Sequence, residues 1–433
     1  MTDAADTPEG DGEDDGQETP ARRSPLAVLG PGLVTGAADD DPSGIGTYSQ
    51  VGAQFGYGMA WTLLFSLPLM TAIQEICGRI GAVSGRGIAH NLREHYPRPL
   101  LRSVVVLLLI ANIINLGADL GAMGAALTLV LPGSDMPFII GFGLLSIALE
   151  VFVSYARYAR ILKWATLSLL SYFAVAAVAH VSWADAIRGA LVPRFAFDKT
   201  SVMALVAVLG TTISPYLFFW QAGQEVEEQR RRHTKPLCVS PRAAGSELRR
   251  IRIDTLVGMV FSNLTAIFIV IATAATLHRA GITEIDSAVE AASALRPLAG
   301  DFAFVLFALG IVSTGLLAIP VLAGSAAYAV AETFDWSEGL DRRLREAKAF
   351  YAVIALATVA GIALNLLAID PMRALYWAAV VNGLLAPPLM VVTMLIARNP
   401  RVMGAFVISP ALALGGWLST AVMAAVALLF LLA

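Results

Sequence analysis

Charge is scarce in this chain: 15% of its residues are Asp, Glu, Lys or Arg, against 57% hydrophobic, a balance far from that of a soluble domain. Histidine is rarer still. Most of the five, His90, His95, His180, His233 and His278, fall at the ends of apolar runs or between them, so neither a His-rich metal cluster nor a nucleophile with its base argues for a membrane enzyme. Cysteine is limited to Cys77 and Cys238. Two thiols without ligand-like spacing imply no disulfide framework and no zinc site, and they read as spare. The alternating pattern of barrel strands is also missing, and nothing points to a nucleic-acid partner.

What the chain does have is length in its apolar runs. Eleven stretches suit a bilayer crossing of about 20 residues: roughly 26–55, 57–78, 103–131, 136–156, 161–182, 202–222, 254–278, 302–331, 350–369, 374–397 and 403–432. Lipid offers backbone groups no partners, so each is expected to be helical. The net charge of -3 says little, but the placement of the 30 Lys and Arg residues says more. With the N-terminus inside, only Arg188, Arg194, Lys199, Arg279, Arg296 and Arg373 fall on the outer side. That bias predicts N-terminus in, C-terminus out. Arg outnumbers Lys 26 to 4, which hints at a GC-rich bacterial genome and hence a bacterial plasma membrane. Residues 1–24, acidic and rich in Gly and Pro, read as a disordered cytoplasmic tail and not as a signal peptide. Residues 25–433 form one transmembrane domain.

Within the first run stands "AADDDPSGIGTYSQVG". A lone carboxylate at mid-membrane costs about 2.5–3.5 kcal/mol on insertion scales, so Asp41 needs compensation. Pro42 removes a backbone donor, and Ser43, Gly44 and Gly46 are weak helix formers, which predicts a break. Freed carbonyls and the Asp41 carboxylate would then present hard oxygen ligands to a cavity. The sixth run repeats the device, with Gly210, Thr211, Thr212 and Ser214 directly before Pro215. Two interrupted runs five helices apart point to an inverted-repeat transporter, spans one to five and six to ten, with its site at the midplane. The plain alternative is a passive kink at each proline.

Asp39 and Asp40 point away from Asp41 on a helix; they are solvated in a vestibule, paired with another helix, or ligands themselves. Asn112, Asn115 and Asp119 share a helix face, either for interhelical hydrogen bonds or for a water-lined exit or proton path. Asn382 reads as a packing hydrogen bond. "EVEEQRRRHTKP" reads as a solvated loop whose Glu225, Glu227 and Glu228 could attract cations.

Taken together, these residues resemble the NRAMP family of divalent metal transporters over most of the chain after the tail. "GPGLVTGAADDDPSG" is similar to that family's first helix, with its Asp-Pro-Gly-Asn hallmark falling on Asp41 and Pro42. "QEICGRIGAVSGRGIA" is similar to the second helix, Asp119 matches an Asp of the third, and "ARNPRVMG" resembles the loop before the last. The resemblance implies an all-α leucine-transporter-like fold of eleven helices, with helices 1 and 6 broken at Pro42 and Pro215. The implied metal ligands are Asp41, Gly44, Thr211 and Ser214, and the implied pathway residues are Asp40, Asp119, Tyr216 and Gln221.

The departures are as informative. Gly44 stands where the family has an Asn ligand, and Ser214-Pro215-Tyr216-Leu217 replaces Met-Pro-His-Asn. Without the thioether the site is all oxygen, which suits magnesium, calcium and manganese. The truncated Gly44 and Ser214 leave room for the waters that magnesium keeps. This composition resembles the NRAMP-related magnesium transporter branch. The family's proton-linked histidines become Tyr216 and Gln221, and a third-helix Glu becomes Ala122, so weak or absent proton coupling is expected. The expectation is import of Mg2+, with Mn2+ possible, by alternating access, with no cofactor and no obligate protein partner. Its alternatives are a proton-coupled Mn2+/Fe2+ importer and an amino-acid or organic-solute symporter. Asp41 opposes the latter, because it would repel a substrate carboxylate.

Overall fold

The structure, a computed structural model, describes residues 30–153, 166–367 and 369–432. The expected acidic tail, residues 1–24, and the basic cluster at Arg157, Arg160 and Lys163 lie outside the described residues. Those described are helical with no strand among them. The longer helices are α1 (Pro31–Asp39), α2 (Pro42–Phe55), α3 (Ala60–Ser84), α4 (Ile88–His95), α5 (Arg98–Thr128), α6 (Asp135–Phe152), α7 (Leu170–Val178), α8 (Trp183–Leu191), α9 (Lys199–Thr212), α10 (Pro215–Arg231), α11 (Ala244–Thr276), α12 (Ala303–Phe334), α13 (Lys348–Leu364), α14 (Pro371–Ala397) and α15 (Pro410–Leu432). Among the described residues nine helical stretches are long and apolar enough to cross a membrane, with α9 and α10 counted as one. The interrupted pair α1–α2 and the shorter α7, whose run begins outside the described residues, account for the other two expected spans.

Both breaks fall at the prolines the sequence marks. A residue before proline is driven out of the helical region; Asp41 adopts φ -71, ψ 170 and Ser214 φ -74, ψ 127. Proline alone does not decide this. Pro68, Pro320, Pro387 and Pro388 sit inside continuous helices. What differs at the first break is the preceding residue: Leu67, Ile319 and Ala386, in the first three cases, have no side-chain oxygen to take up a freed backbone donor, and Ser214 at the second break makes no such cap. Asp41 does, accepting from the Gly44 N–H at 2.6 Å. At the end of α9 away from its break, Asp198 caps the helix in the usual way, accepting from the Ser201 N–H at 2.9 Å and its hydroxyl at 3.0 Å, and those donors hold its carboxyl below the ordinary range.

Small residues set how the broken helices are held. α1 lies against α11 backbone to backbone: a Cβ on Gly36 would stand 2.3 Å from the Gly258 carbonyl, and one on Gly258 2.2 Å from that of Gly32. α9 meets α14 the same way, through Gly210 and Gly383. Lipid supplies no hydrophobic drive for helix association, so such close approach carries the packing. Both broken pairs are thereby wedged between continuous helices, with their interruptions facing one another.

Candidate functional site

The two interruptions meet at Tyr216. From the first turn of α10 its hydroxyl lies 3.1 Å from Asp41 Oδ2, to which it donates, and 3.3 Å from the Ala38 carbonyl at the end of α1. Asp41 is 2% exposed, and Ser43, Thr211, Ser214 and Tyr216 are equally buried. Each Asp41 oxygen already accepts one hydrogen bond, from Gly44 N–H or from Tyr216, and each keeps a lone pair. Ser214 turns back on its own helix, its hydroxyl 2.8 Å from the Thr211 carbonyl and 3.1 Å from that of Gly210. The structure thus places Asp41, Gly44, Thr211, Ser214, Pro42 and Pro215 at the two facing breaks.

Two expectations need correction. The space beside Gly44 is not open: a Cβ there would meet the Asp39 carbonyl at 3.2 Å and Tyr48 Cε2 at 3.3 Å. The Tyr48 ring fills the room expected to hold water. Tyr216, placed by sequence on the pathway, instead touches the carboxylate itself. Of the other pathway residues, Gln221 lies deeper in α10, where it meets Thr35 of α1 (2.5 Å) and Glu225 (3.4 Å). Asp40 is buried and accepts from the Ser262 hydroxyl of α11 at 3.2 Å, so in this conformation it is hydrogen-bonded to another helix and not exposed to solvent. Asp119 is fully buried with neither carboxylate oxygen hydrogen-bonded, close enough to Asp41 for their charges to interact.

The rest of the polar face on α5 divides. Asn112 donates to the Leu322 carbonyl of α12 at 2.9 Å, an interhelical bond, whereas the Asn115 amide has no partner. Asn382 is buried with its oxygen unpartnered. The free thiols fit the spare reading, Cys77 buried and Cys238 exposed.

The "EVEEQRRRHTKP" stretch departs furthest from its reading as a solvated loop. Its first half is the last turns of α10, and Glu225 and Glu227 are buried. Glu227 accepts from the Tyr328 hydroxyl and from the Leu340 N–H at 2.7 Å. Glu225 pairs with Arg250 at 2.5 Å, and Arg250 also binds Glu247 at 2.8 Å. One turn on, Asp254 caps α1, accepting from the N–H groups of Gly30, Gly32 and Leu33 at 2.9, 2.7 and 3.1 Å. This latch of Asp254, Arg250 and Glu225 was missed in the sequence. The signal available was Arg250 and Asp254, four residues apart at the start of an apolar run.

At the opposite end a cavity of about 410 Å3 is lined by Gly46, Gln50, Gln54, Lys199, Glu284, Asp286, Arg373 and Trp377, among others. Leu375 of α14 stands between it and Asp41: its side chain abuts Gly46, and its carbonyl lies 3.4 Å from the Ser43 hydroxyl. With the latch at one end and Leu375 at the other, the acidic segment is closed off from both.

The family model described as Natural resistance-associated macrophage protein-like matches residues 32–433. A divalent metal cation transporter MntH of Acidiphilium cryptum is 26% identical, covering 89% of this chain and 86% of its own. The MntH of Verminephrobacter eiseniae is 27% identical over 81% of each. Among solved structures, the Eremococcus coleocola manganese transporter with an aromatic bis-isothiourea substituted compound superposes with a TM-score of 0.73 at 15% identity, covering 94% of this chain and 86% of that one; at that identity the likeness speaks for the fold.

Proposed function

We propose that this chain, which belongs to the Nramp family, imports a hard divalent metal cation, Mg2+ in preference and Mn2+ second, by alternating access around its two helix breaks. It is a multi-pass membrane transporter and not an enzyme, and the metal is cargo, not a resident cofactor. Divalent metal cation transport is the activity in the names of both relatives above, each matched over most of its length. The preference for Mg2+ is our own reading and rests on the donor set.

That set is oxygen throughout: the Asp41 carboxylate, carbonyls at Gly44 and Thr211, and the Ser214 hydroxyl, with no thioether or imidazole. Carboxylate, carbonyl and water suit Mg2+ and Mn2+, whereas a sulfur ligand would favour softer metals. Mg2+ dehydrates reluctantly and is commonly held by one or two carboxylates with several waters, so an Asp41 that already accepts two hydrogen bonds suits an ion bound partly through water. The observation that carries the proposal is this buried carboxylate at the facing breaks, with no Lys, Arg or His among its partners. The basic residues gather at the end of the latch, which we assign to the cytoplasm. The 410 Å3 cavity is then the outer approach.

Calorimetry on the purified protein with Mg2+, Mn2+, Cd2+ and Ca2+ tests the selectivity. Mg2+ and Mn2+ are expected to bind and Cd2+ to bind no better; strong Cd2+ preference would favour a manganese or iron importer of the ordinary kind. Asp41→Ala is expected to abolish uptake in proteoliposomes while the protein stays monodisperse. Near-normal uptake by that variant would refute the site.

A further inference from the structure

Asp39 and Asp40 do nothing in the mechanism above, yet both are 1% exposed. They turn away from Asp41 toward α11, where the Ser262 hydroxyl lies 2.7 Å from Asp39 Oδ2 and 3.2 Å from Asp40 Oδ1. A hydroxyl has one proton to give, so Ser262 serves one of these oxygens at a time. Thr265, the next hydroxyl along that face, donates to the Phe261 carbonyl at 3.0 Å. Asp39 Oδ1 and Asp40 Oδ2 have no hydrogen-bond partner at all. Four carboxylate oxygens thus share the Ser262 hydroxyl and, at Asp40, the Thr265 hydroxyl one turn on.

A second observation comes from another helix face. The Tyr48 hydroxyl is fully buried and unpartnered, and it lies within charge-interaction range of Asp39, Asp40 and Asp41. No Lys, Arg or His among the described residues forms an ion pair with these acids or with Asp119. Buried charges are paired or coordinate metals, and here the only other charges at hand are acids. Asp39 and Asp40 share the Ser262 hydroxyl, and Asp41 interacts with both of them as well as with Asp119. One divalent ion matches the charge of Asp39 and Asp40 together, as a second matches that of Asp41 with Asp119.

We propose that Asp39 and Asp40, with the Ser262 and Thr265 hydroxyls, form a second divalent-cation position beside the one at Asp41. Carboxylate, hydroxyl and water oxygens are the ligands a hard ion takes. Two carboxylates leave its shell to be completed by water. Neighbouring ions repel, so occupancy of the second position loosens the first, as multi-site occupancy does in conducting pores. The inference rests on the reading of Asp41 as a metal ligand, and the test separates the two.

The measurement is binding stoichiometry by equilibrium dialysis with Mn2+ as the probe on the purified full chain, repeated by calorimetry with Mg2+. Wild type is expected to hold two ions per chain. Asp39→Asn with Asp40→Asn, which removes charge but little volume, should leave one, and Asp41→Asn should also leave one. Ser262→Ala is a milder check: it should weaken one of the two sites several-fold and leave the other alone. One ion in wild type, lost in Asp41→Asn and kept in the Asp39/Asp40 double variant, overturns the second position while sparing the first. Two ions in the double variant also overturn it. No binding in wild type removes both proposals together.

Discussion

At the proposed site, the Tyr216 hydroxyl sets how much of Asp41 an arriving ion can use. A hydrogen bond to a charged group is worth about 1.5–3 kcal/mol, and this one competes directly with a metal for Oδ2. Tyr216→Phe is therefore expected to tighten divalent binding several-fold by calorimetry. It should also slow turnover, because an ion held more tightly leaves more slowly. Weaker binding in the variant would show that the hydroxyl orients Asp41 for the ion. Gly44→Asn with Ser214→Met is expected to move selectivity toward Cd2+, since the thioether is a soft ligand. The new side chain at Gly44 must first displace Tyr48, whose ring stands 3.3 Å from its Cβ position, so the Gly44→Asn change alone should lower stability. An unchanged metal profile in the pair would count against these ligands. Asp41 was legible in the sequence because an acid before a proline in an apolar run is too costly to keep in lipid without a compensating partner or ligand. The role of Tyr216 was not: there it registered as a pathway residue and as the loss of a histidine, and its contact with Asp41 spans 175 residues.

The breaks, at the scale of helices, were legible for a local reason, since a polar residue followed by proline is both a helix stop and a helix start. The latch on α1 was not, because Asp254 and Gly32 are 222 residues apart and only the folded α11 brings them together. Here a carboxylate takes three N–H groups at the start of a helix, where the helix dipole also favours negative charge. Asp254→Ala should therefore free α1 to swing from α11. In a Cys238→Ser background, a cysteine replacing Ala37 should react with an impermeant maleimide from the latch side at least about tenfold faster once Asp254 is removed, the change that about 1.4 kcal/mol produces. Equal labelling would mean that α1 is held by its glycine contacts alone. Glu225 and Glu227 were misread as solvated because a run of mixed charges normally is; burial with Arg250 and Tyr328 is a property of the packing around α10.

Taken as a whole, the molecule gathers most of its arginines at the end of the latch, which we assign to the cytoplasm, and between its two ends holds a site with no histidine among its described hydrogen-bond partners. Gln221, one of the two positions where the resemblance implies a proton-linked histidine, does not titrate, and its amide is engaged with Thr35 and Glu225. Tyr216, at the other, belongs to a residue type whose ordinary pKa is near 10, too high for a relay at neutral pH. On the proposed function, the remaining driving force is the potential. Moving one charge through 100 mV is worth about 2.3 kcal/mol, so a divalent ion gains about 4.6 kcal/mol, enough for accumulation by three orders of magnitude without a proton. In proteoliposomes loaded with potassium, valinomycin should then accelerate Mg2+ influx as the interior turns negative, and an internal pH dye should stay flat as the ion enters. Internal acidification in step with uptake, beyond what the imposed potential itself drives, would mean that protons travel with the metal. Buried Asp119, whose carboxylate lacks a hydrogen-bond donor, would then be the first group to replace, and Asp119→Asn should abolish the acidification while leaving metal binding at Asp41 measurable.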